Sequence, residues 1–510
     1  MLTQSSFARQ ALTVSLMTFL SRVSGAARDI LTAYAFSPWV TDAFFLAFRI
    51  PNVFRQLLAE GAMNAGFVPV LAQEKSRGTP DHYGAFLRAS LGALLALLIA
   101  TCLMGIVSAP WIIRLFAPGF SSDPLQLRLA SRLLALCFPY LFLISLCAFF
   151  AGILNVEGSF WGPSFSPVAF NVTLCSVIFF SMHIRPNWGY SLGVGVLLGG
   201  LAQLVFHLIP LEDRSRRLRP SWNPAHPALK QMAFLILPSI PSFGMTQINI
   251  LVDSLFATLV GKGSVSALYY AARLLEFAMG IVPIALATVT LPRFATLIAK
   301  NDKKALEAGF QKTLFLTLFL TLPAALGLCI LATPIVRLVY ERGNFLPELT
   351  HSTSAALVGF SIGLVPYAFI RIMVSTFYAF QDTKTPLIWS FVGMLANVLG
   401  DYFFLGFGTF GLALATSLSG WIQLIGLSRS LRAYHQLDLG LLLSGRALKV
   451  YLAGVSMVAA WYFLGKGWLF GFSGVVAFSF AVLGVIAFLA LTYFSVYFGL
   501  GLISKLRERL

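Results

Sequence analysis

The sequence predicts an all-α polytopic membrane protein of about fourteen transmembrane helices. They are expected as two six-helix lobes related by a pseudo-two-fold axis along the membrane normal, plus two C-terminal helices. Three observations predict this. Hydrophobic residues fill 58% of the 510 positions and charged residues only 11%, with a mean hydropathy of +0.83, more than a water-soluble core requires. Apolar runs such as 91–109, 168–182, 314–332 and 475–494 recur between short polar breaks, and about 20 apolar residues cross a bilayer. The runs are continuous, without the alternation of a membrane barrel, so the spans are helices.

The cations supply the third observation. Lys75 and Arg77; Arg214, Arg216, Arg217 and Arg219; Lys300, Lys303, Lys304 and Lys312; Arg429 and Arg432; and Lys505, Arg507 and Arg509 fall in every second connection. The alternate connections carry isolated cations such as Arg185, Lys262, Arg342 and Lys466. This positive-inside pattern places both termini in the cytoplasm and requires an even number of spans. It also accounts for the net charge of +17 by topology and anionic lipid, and no nucleic acid is expected.

The first span keeps Arg22 at its middle and lacks a signal-peptide cleavage motif, so it is expected to remain in the protein. Arg22 and Arg28 flank Gly25, and both reach one cavity if the helix bends there. Asp29 is the adjacent acid. The second span, from Thr41 to Gly61, places Asp42, Arg49 and Gln56 on one face at 3.6 residues per turn, with Asn52 and Arg55 beside it and Glu60 beyond. That polar stripe extends over roughly 20 Å at a rise of 1.5 Å per residue, too long to face lipid. An intramembrane arginine costs at least about 2.5 kcal/mol at the bilayer centre, and cations exceed anions here, so an anion site is the favoured reading over an ion-pair lock.

The basic, proline-rich connection 211–227 and a second break at 429–446 divide the chain into an N-terminal lobe (1–215), a C-terminal lobe (216–435) and a terminal helix pair (436–510). A repeat supports the division. Phe44, Phe45, Arg49 and the Phe67-Val68-Pro69 helix end are echoed by Tyr269, Tyr270, Arg273 and Leu291-Pro292; Phe160 and Asn171 are echoed by Pro386 and Asn397 at the same spacing. Halves with even span numbers enter the membrane in parallel, and the expected substrate path is the cleft between them. Pro238, Pro241 and Gly244 within one span are the best hinge candidates.

The second half adds Arg273 and Glu276, neighbours on one helix face, and Arg371, which can snorkel. Asp253, four residues after Asn249, is a candidate cation site or a helix cap. Arginine forks hold phosphate oxygens in pairs, so several arginines around a cleft suit a pyrophosphate better than one carboxylate. His82, His183, His207, His226, His351 and His435 are scattered, and the five cysteines lie in apolar runs. No Walker loop, H-E-x-x-H or paired-cysteine motif appears, so no catalysis, metal or cofactor is expected; the membrane potential or a coupling ion is the expected drive.

The run Ser21-Arg22-Val23-Ser24-Gly25-Ala26-Ala27-Arg28-Asp29, with Thr41-Asp42-Ala43-Phe44-Phe45, Pro51-Asn52-Val53-Phe54-Arg55, Ala59-Glu60-Gly61-Ala62 and Phe67-Val68-Pro69, closely resembles the MviN/MurJ family of lipid II flippases. The segment from Tyr269 to Phe277 looks like the same family's second-lobe motif, except that its usual acid before the arginine is Ala272 here. The resemblance implies the exporter fold described above, with a lipid-tail groove at the terminal pair. It implies transport of undecaprenyl-pyrophosphate-linked lipid II across the bacterial inner membrane, with membrane lipids and cell-wall synthesis enzymes as partners. Arg22, Arg28 and Arg273 match its pyrophosphate-binding arginines; Asp42, Arg55 and Glu60 match its gating or pairing positions. The alternatives are a cation-coupled multidrug exporter using Asp42, Glu60 or Asp253, and a non-transporting scaffold for wall synthesis.

Overall fold

The computed structural model describes residues 4–76, 80–211, 219–223, 226–237, 240–281, 283–465 and 475–507. It is all-helical among these residues, as the continuous apolar runs require. Among the described residues seven helices are long and apolar enough to cross a membrane, or eight if the bent pair Pro347–Ile362 and Leu364–Ala379 counts as one span. The chain forms two compact units, Met1–Val265 with Arg342–Phe345, and Ser266–Glu341 with Leu346–Leu510.

The first unit begins with α1 (Gln4–Ala35), which runs unbroken through Gly25, and α2 (Pro38–Arg55). Beyond Arg55 the backbone changes to a π-helix over Gln56–Phe67 before α3 (Val68–Ser76). The 3.6-residue register read from the sequence therefore holds only as far as Arg55, since i→i+5 bonding turns side chains by a smaller angle per residue. Phe67 ends the π segment fully buried, with its ring stacked on Phe86 and Phe149.

After α4 (Pro80–Phe116) and a 3₁₀ turn (Pro118–Ser122), α5 (Pro124–Val156) forms the centre of this unit, packed against α2, α4, the π segment and α7 (Tyr190–Leu208). Asp123 caps α5, its Oδ1 accepting the Gln126 N–H. α6 (Trp161–Ile184) packs between α1 and α7. On α4 the side chains of Leu97, Leu103, Met104, Val107, Trp111 and Leu115 are exposed. A row of large apolar groups at helical spacing is a lipid-facing surface.

Of the expected hinge residues, Pro238 lies outside the described residues, between α8 (Pro227–Ile236) and α9 (Ile240–Val260), while Pro241 and Gly244 fall within the first turns of α9. α9 packs on α2, α4, the π segment and the 3₁₀ turn, so the compact units divide at Val265 and not at the basic connection near residue 215. Gly119 is required at the turn: a Cβ there would lie 1.8 Å from the Thr258 carbonyl oxygen. Its N–H donates to Thr258 Oγ1 at 3.2 Å.

The second unit contains α10 (Ser264–Ile281), whose first two residues belong to the first unit, then α11 (Pro283–Ala299), α12 (Lys303–Ile330), α13 (Ala332–Val339), α14 (Pro347–Ile362), α15 (Leu364–Ala379), α16 (Lys384–Phe404), α17 (Gly408–His435), α18 (Gly445–Ala460) and α19 (Val475–Arg507). Its core joins Phe294, Phe310, Phe369 and Phe377 to Leu427, Val450 and Tyr493. The Tyr493 hydroxyl donates to the Phe319 carbonyl at 2.9 Å, fastening α19 to α12. An apolar cavity of about 550 Å³ lies beside α18, lined by Leu322, Leu326, Tyr451, Val455, Val458 and Phe463.

Candidate functional site

Two arginine centres stand out, one in each unit. In the first unit, Ser21, Ser24, Arg28 and Thr32 share a stripe of α1 at three- and four-residue spacing, and that stripe meets α6. Arg28 is held within it at two edges. Its Nε and NH2 donate to Asp29 Oδ1 at 3.0 and 2.7 Å, and its NH1 donates to Asn171 Oδ1 at 3.0 Å. The side chains are 15% exposed for Arg28 and 7% for Asp29. Asp29 is thus the arginine's immediate counter-ion, and the centre is a largely buried charge pair. Arg22 is exposed on the same helix and makes no hydrogen bond or ion pair among the described residues.

The second unit's Arg273 lies on α10. Its NH1 reaches Glu276 Oε2 at 2.7 Å and its NH2 donates to the Tyr269 hydroxyl at 3.1 Å, while the guanidinium sits 4.9 Å from the Tyr269 ring centroid. Side-chain exposure is 40% for Arg273 and 64% for Glu276, leaving the group open to a ligand. Tyr270 points the other way, fully buried with its ring 4.8 Å from that of Tyr340. Each arginine therefore carries one carboxylate neighbour, which lowers the local positive charge that a bare count of cations suggests.

The polar stripe of α2 turns toward α9. Asp42 is fully buried, and its Oδ2 accepts the Gly263 N–H at 2.5 Å. Gly263 has φ +85°, a left-handed conformation that suits glycine. Arg49 NH1 donates to the Ile250 carbonyl at 3.3 Å and to Ser254 Oγ. Asp42 and Arg49 thus pin α9 and its closing turn to α2. Arg55 bonds locally, its Nε donating to Asn52 Oδ1 at 2.6 Å. The Glu60 side chain lies outside the described residues.

Outside the spans, Asp123 accepts the Trp39 indole N–H at 2.9 Å and faces Lys262 Nζ at 3.4 Å. The indole bond, then the Gln126 N–H, hold its carboxyl below the usual range. On α9, Asn249 and Asp253 are half-buried, and Asn249 Oδ1 has no hydrogen-bond partner among the described residues. Arg371 is exposed. Among the described residues no group of three or more His, Cys, Asp or Glu side chains could hold a metal ion.

Two features were absent from the expected site. Asn171, noted from the sequence only as half of a repeat, is an Arg28 partner. In the second unit its echo Asn397 donates to Asp401 Oδ2 at 3.1 Å, both residues fully buried. Amide and carboxylate oxygens together can take a proton or a hard cation. The available signal was an acid four residues after an amide in an apolar helix.

Among the described residues the chain is a multi-pass helical bundle with charged groups buried between its helices, the architecture of a membrane transporter fold. An inward-facing multidrug transporter of the MATE family shares the fold, with a TM-score of 0.70 over 81% of this chain and 96% of its own at 16% identity. The chain belongs to the lipid II flippase MurJ family, whose profile matches residues 31–500. A probable lipid II flippase MurJ of Vibrio cholerae is 35% identical over 84% of each chain, and one of Rhizobium meliloti is 34% identical over 97% of this chain and 94% of its own. A solved lipid II flippase MurJ in an inward closed conformation aligns with a TM-score of 0.78 at 27% identity, over 95% of this chain and 99% of that one.

Proposed function

We propose that this protein moves lipid II from the inner to the outer leaflet of the bacterial inner membrane by alternating access, with both termini cytoplasmic. The observation that carries the reading is Arg28, a guanidinium held in a fixed plane on a helix otherwise suited to lipid. Arg22, Arg28 and Arg273 hold the pyrophosphate, and the apolar cavity beside α18 takes part of the polyprenyl tail.

The carboxylates beside the arginines serve release. A phosphate oxygen on Arg28 competes with Asp29, and one on Arg273 competes with Glu276, so part of the attraction is returned when the ligand leaves. A site of bare arginines would hold the dianion too tightly for turnover. Asp42 and Arg49 keep α9 attached to α2 during the cycle. Outward movement of the anion from a negative-inside cell gains roughly 2.3 kcal/mol per charge per 100 mV, so the membrane potential drives the direction without a cofactor.

A cation-coupled drug exporter would want acids facing its cavity; here the described acids nearest the arginines are committed to them. The test is the leaflet accessibility of labelled lipid II in cells depleted of this protein, with and without a potential. Accessibility at the outer surface should fall on depletion and return with the wild-type gene. Unchanged accessibility refutes the reading.

A further inference from the structure

We infer that Asn171 is the positioning residue that sets the plane of the Arg28 guanidinium for the anionic headgroup. The inference rests on the proposed pyrophosphate role of Arg28 and adds a residue that the α1 motif does not contain. Asn171 lies on α6, 143 positions along the chain from Arg28, and is only 6% exposed.

Its amide is fully directed. Nδ2 donates to the Ser21 carbonyl at 3.2 Å and to Ser24 Oγ at 3.1 Å, and Ser24 Oγ itself donates to the Ser21 carbonyl at 3.1 Å. With both amide hydrogens aimed at α1 oxygens, Oδ1 is the atom left to face Arg28. The reverse orientation would set the NH₂ group against a guanidinium that can only donate. The neighbouring backbone lies close: a Cβ on Gly25 would stand 3.5 Å from Asn171 Nδ2, in van der Waals contact with the amide.

An unrestrained arginine has many rotamers and must be ordered on binding. Here Asp29 grips the Nε/NH2 edge and Asn171 grips NH1, so two contacts on different edges fix the plane before the ligand arrives. The two partners are not equivalent. Asp29 subtracts charge from the centre, whereas the neutral amide orients the cation without weakening its attraction for an anion.

The repeat supports this assignment. Asn397 follows Pro386 in α16 by the same interval that separates Phe160 from Asn171 in α6. In the second unit the amide presents its NH₂ to the carboxylate of Asp401; in the first it presents its oxygen to a guanidinium. One side chain with both a donor and an acceptor end thus orients opposite charges in the two halves.

The experiment is a double-mutant cycle on purified full-length protein, reading lipid II binding and Tm. N171L removes both amide functions at similar volume and should weaken lipid II about tenfold, the scale of one charge-assisted hydrogen bond. In an R28Q/D29N background, where there is no guanidinium to orient, the same change should alter affinity less than twofold. An equal loss in both backgrounds assigns Asn171 to helix packing and overturns the inference. If R28Q/D29N binds lipid II as wild type does, the pyrophosphate reading itself falls. N171D covers the case in which N171L does not fold: its carboxylate still grips Arg28 but places a second anion at the site. It loses the donor to the Ser21 carbonyl and should fold with a lowered Tm, and it should lose more affinity than N171L; wild-type affinity in N171D also overturns the inference.

Discussion

Truncating Arg28 is the obvious test of the anion site, and on its own it would mislead. Asp29 is 7% exposed and depends on the guanidinium edge at 2.7 and 3.0 Å. R28A would take the guanidinium from a buried carboxylate, and breaking a buried pair costs about 3–5 kcal/mol, so lost folding would be confounded with lost binding. The informative perturbation is R28Q/D29N, which deletes both charges together and leaves a neutral amide at each position, smaller by two heavy atoms at position 28. Removing both charges together leaves no uncompensated buried ion, so the double variant avoids the penalty of about 3–5 kcal/mol that a single truncation carries. The headgroup loses one or two charge-assisted hydrogen bonds worth about 1.5–3 kcal/mol each, so Kd for lipid II should rise between roughly tenfold and a hundredfold or more. R28K/wild-type Asp29 should fall between, since an ammonium keeps the charge and loses the fork. Thermal melting and lipid II binding on the same nanodisc samples separate folding from recognition. If R28Q/D29N melts and binds like wild type, Arg28 does not hold the pyrophosphate.

Three further outcomes follow from other contacts. D42A leaves the Gly263 N–H without its carboxylate, a penalty of about 1–3 kcal/mol, and should speed hydrogen exchange at that amide more than D42N does. G119A places a Cβ against the Thr258 carbonyl and should lower Tm, with overpacking costing about 1–3 kcal/mol; an unchanged Tm would show that α9 is not held at this turn. Asp123 has a depressed pKa, so its contribution is present above the ordinary carboxylate value and is lost as pH falls through the lower, folded value. The fall in Tm on acidification below about pH 4 should therefore be shallower in D123N than in wild type.

Helix identity and the arginine motif were legible because both are local properties: an apolar run forces a helix in lipid, and a charge in such a run stands out. The seven-residue spacing of Asp42 and Arg49 also carried over, since both residues reach toward α9. Partners were harder to read. Asn171 and Arg28 meet only because α6 packs on α1, and an amide in an apolar helix looks the same whether it faces lipid-buried backbone or a functional cation. Asp401 is silent in the sequence for the same reason, having no local excess of charge to mark it. The change to π geometry after Arg55 leaves no hydrophobic signature either.

The π segment from Gln56 to Phe67 has a consequence for sequence change. A π turn accommodates an additional residue between flanking α-helices without shifting either end, so it behaves as a stored insertion. Phe67 is anchored by stacking on Phe86 and Phe149 at one end of the segment, and α2 is anchored through Asp42 and Arg49 beyond the other. A single-residue deletion between these anchors is absorbed by reverting one wide turn to α geometry. The same deletion in the middle of α5, packed on four neighbours, would rotate half a helix out of register. Length variation in this family's transmembrane helices should therefore be tolerated first in this stretch.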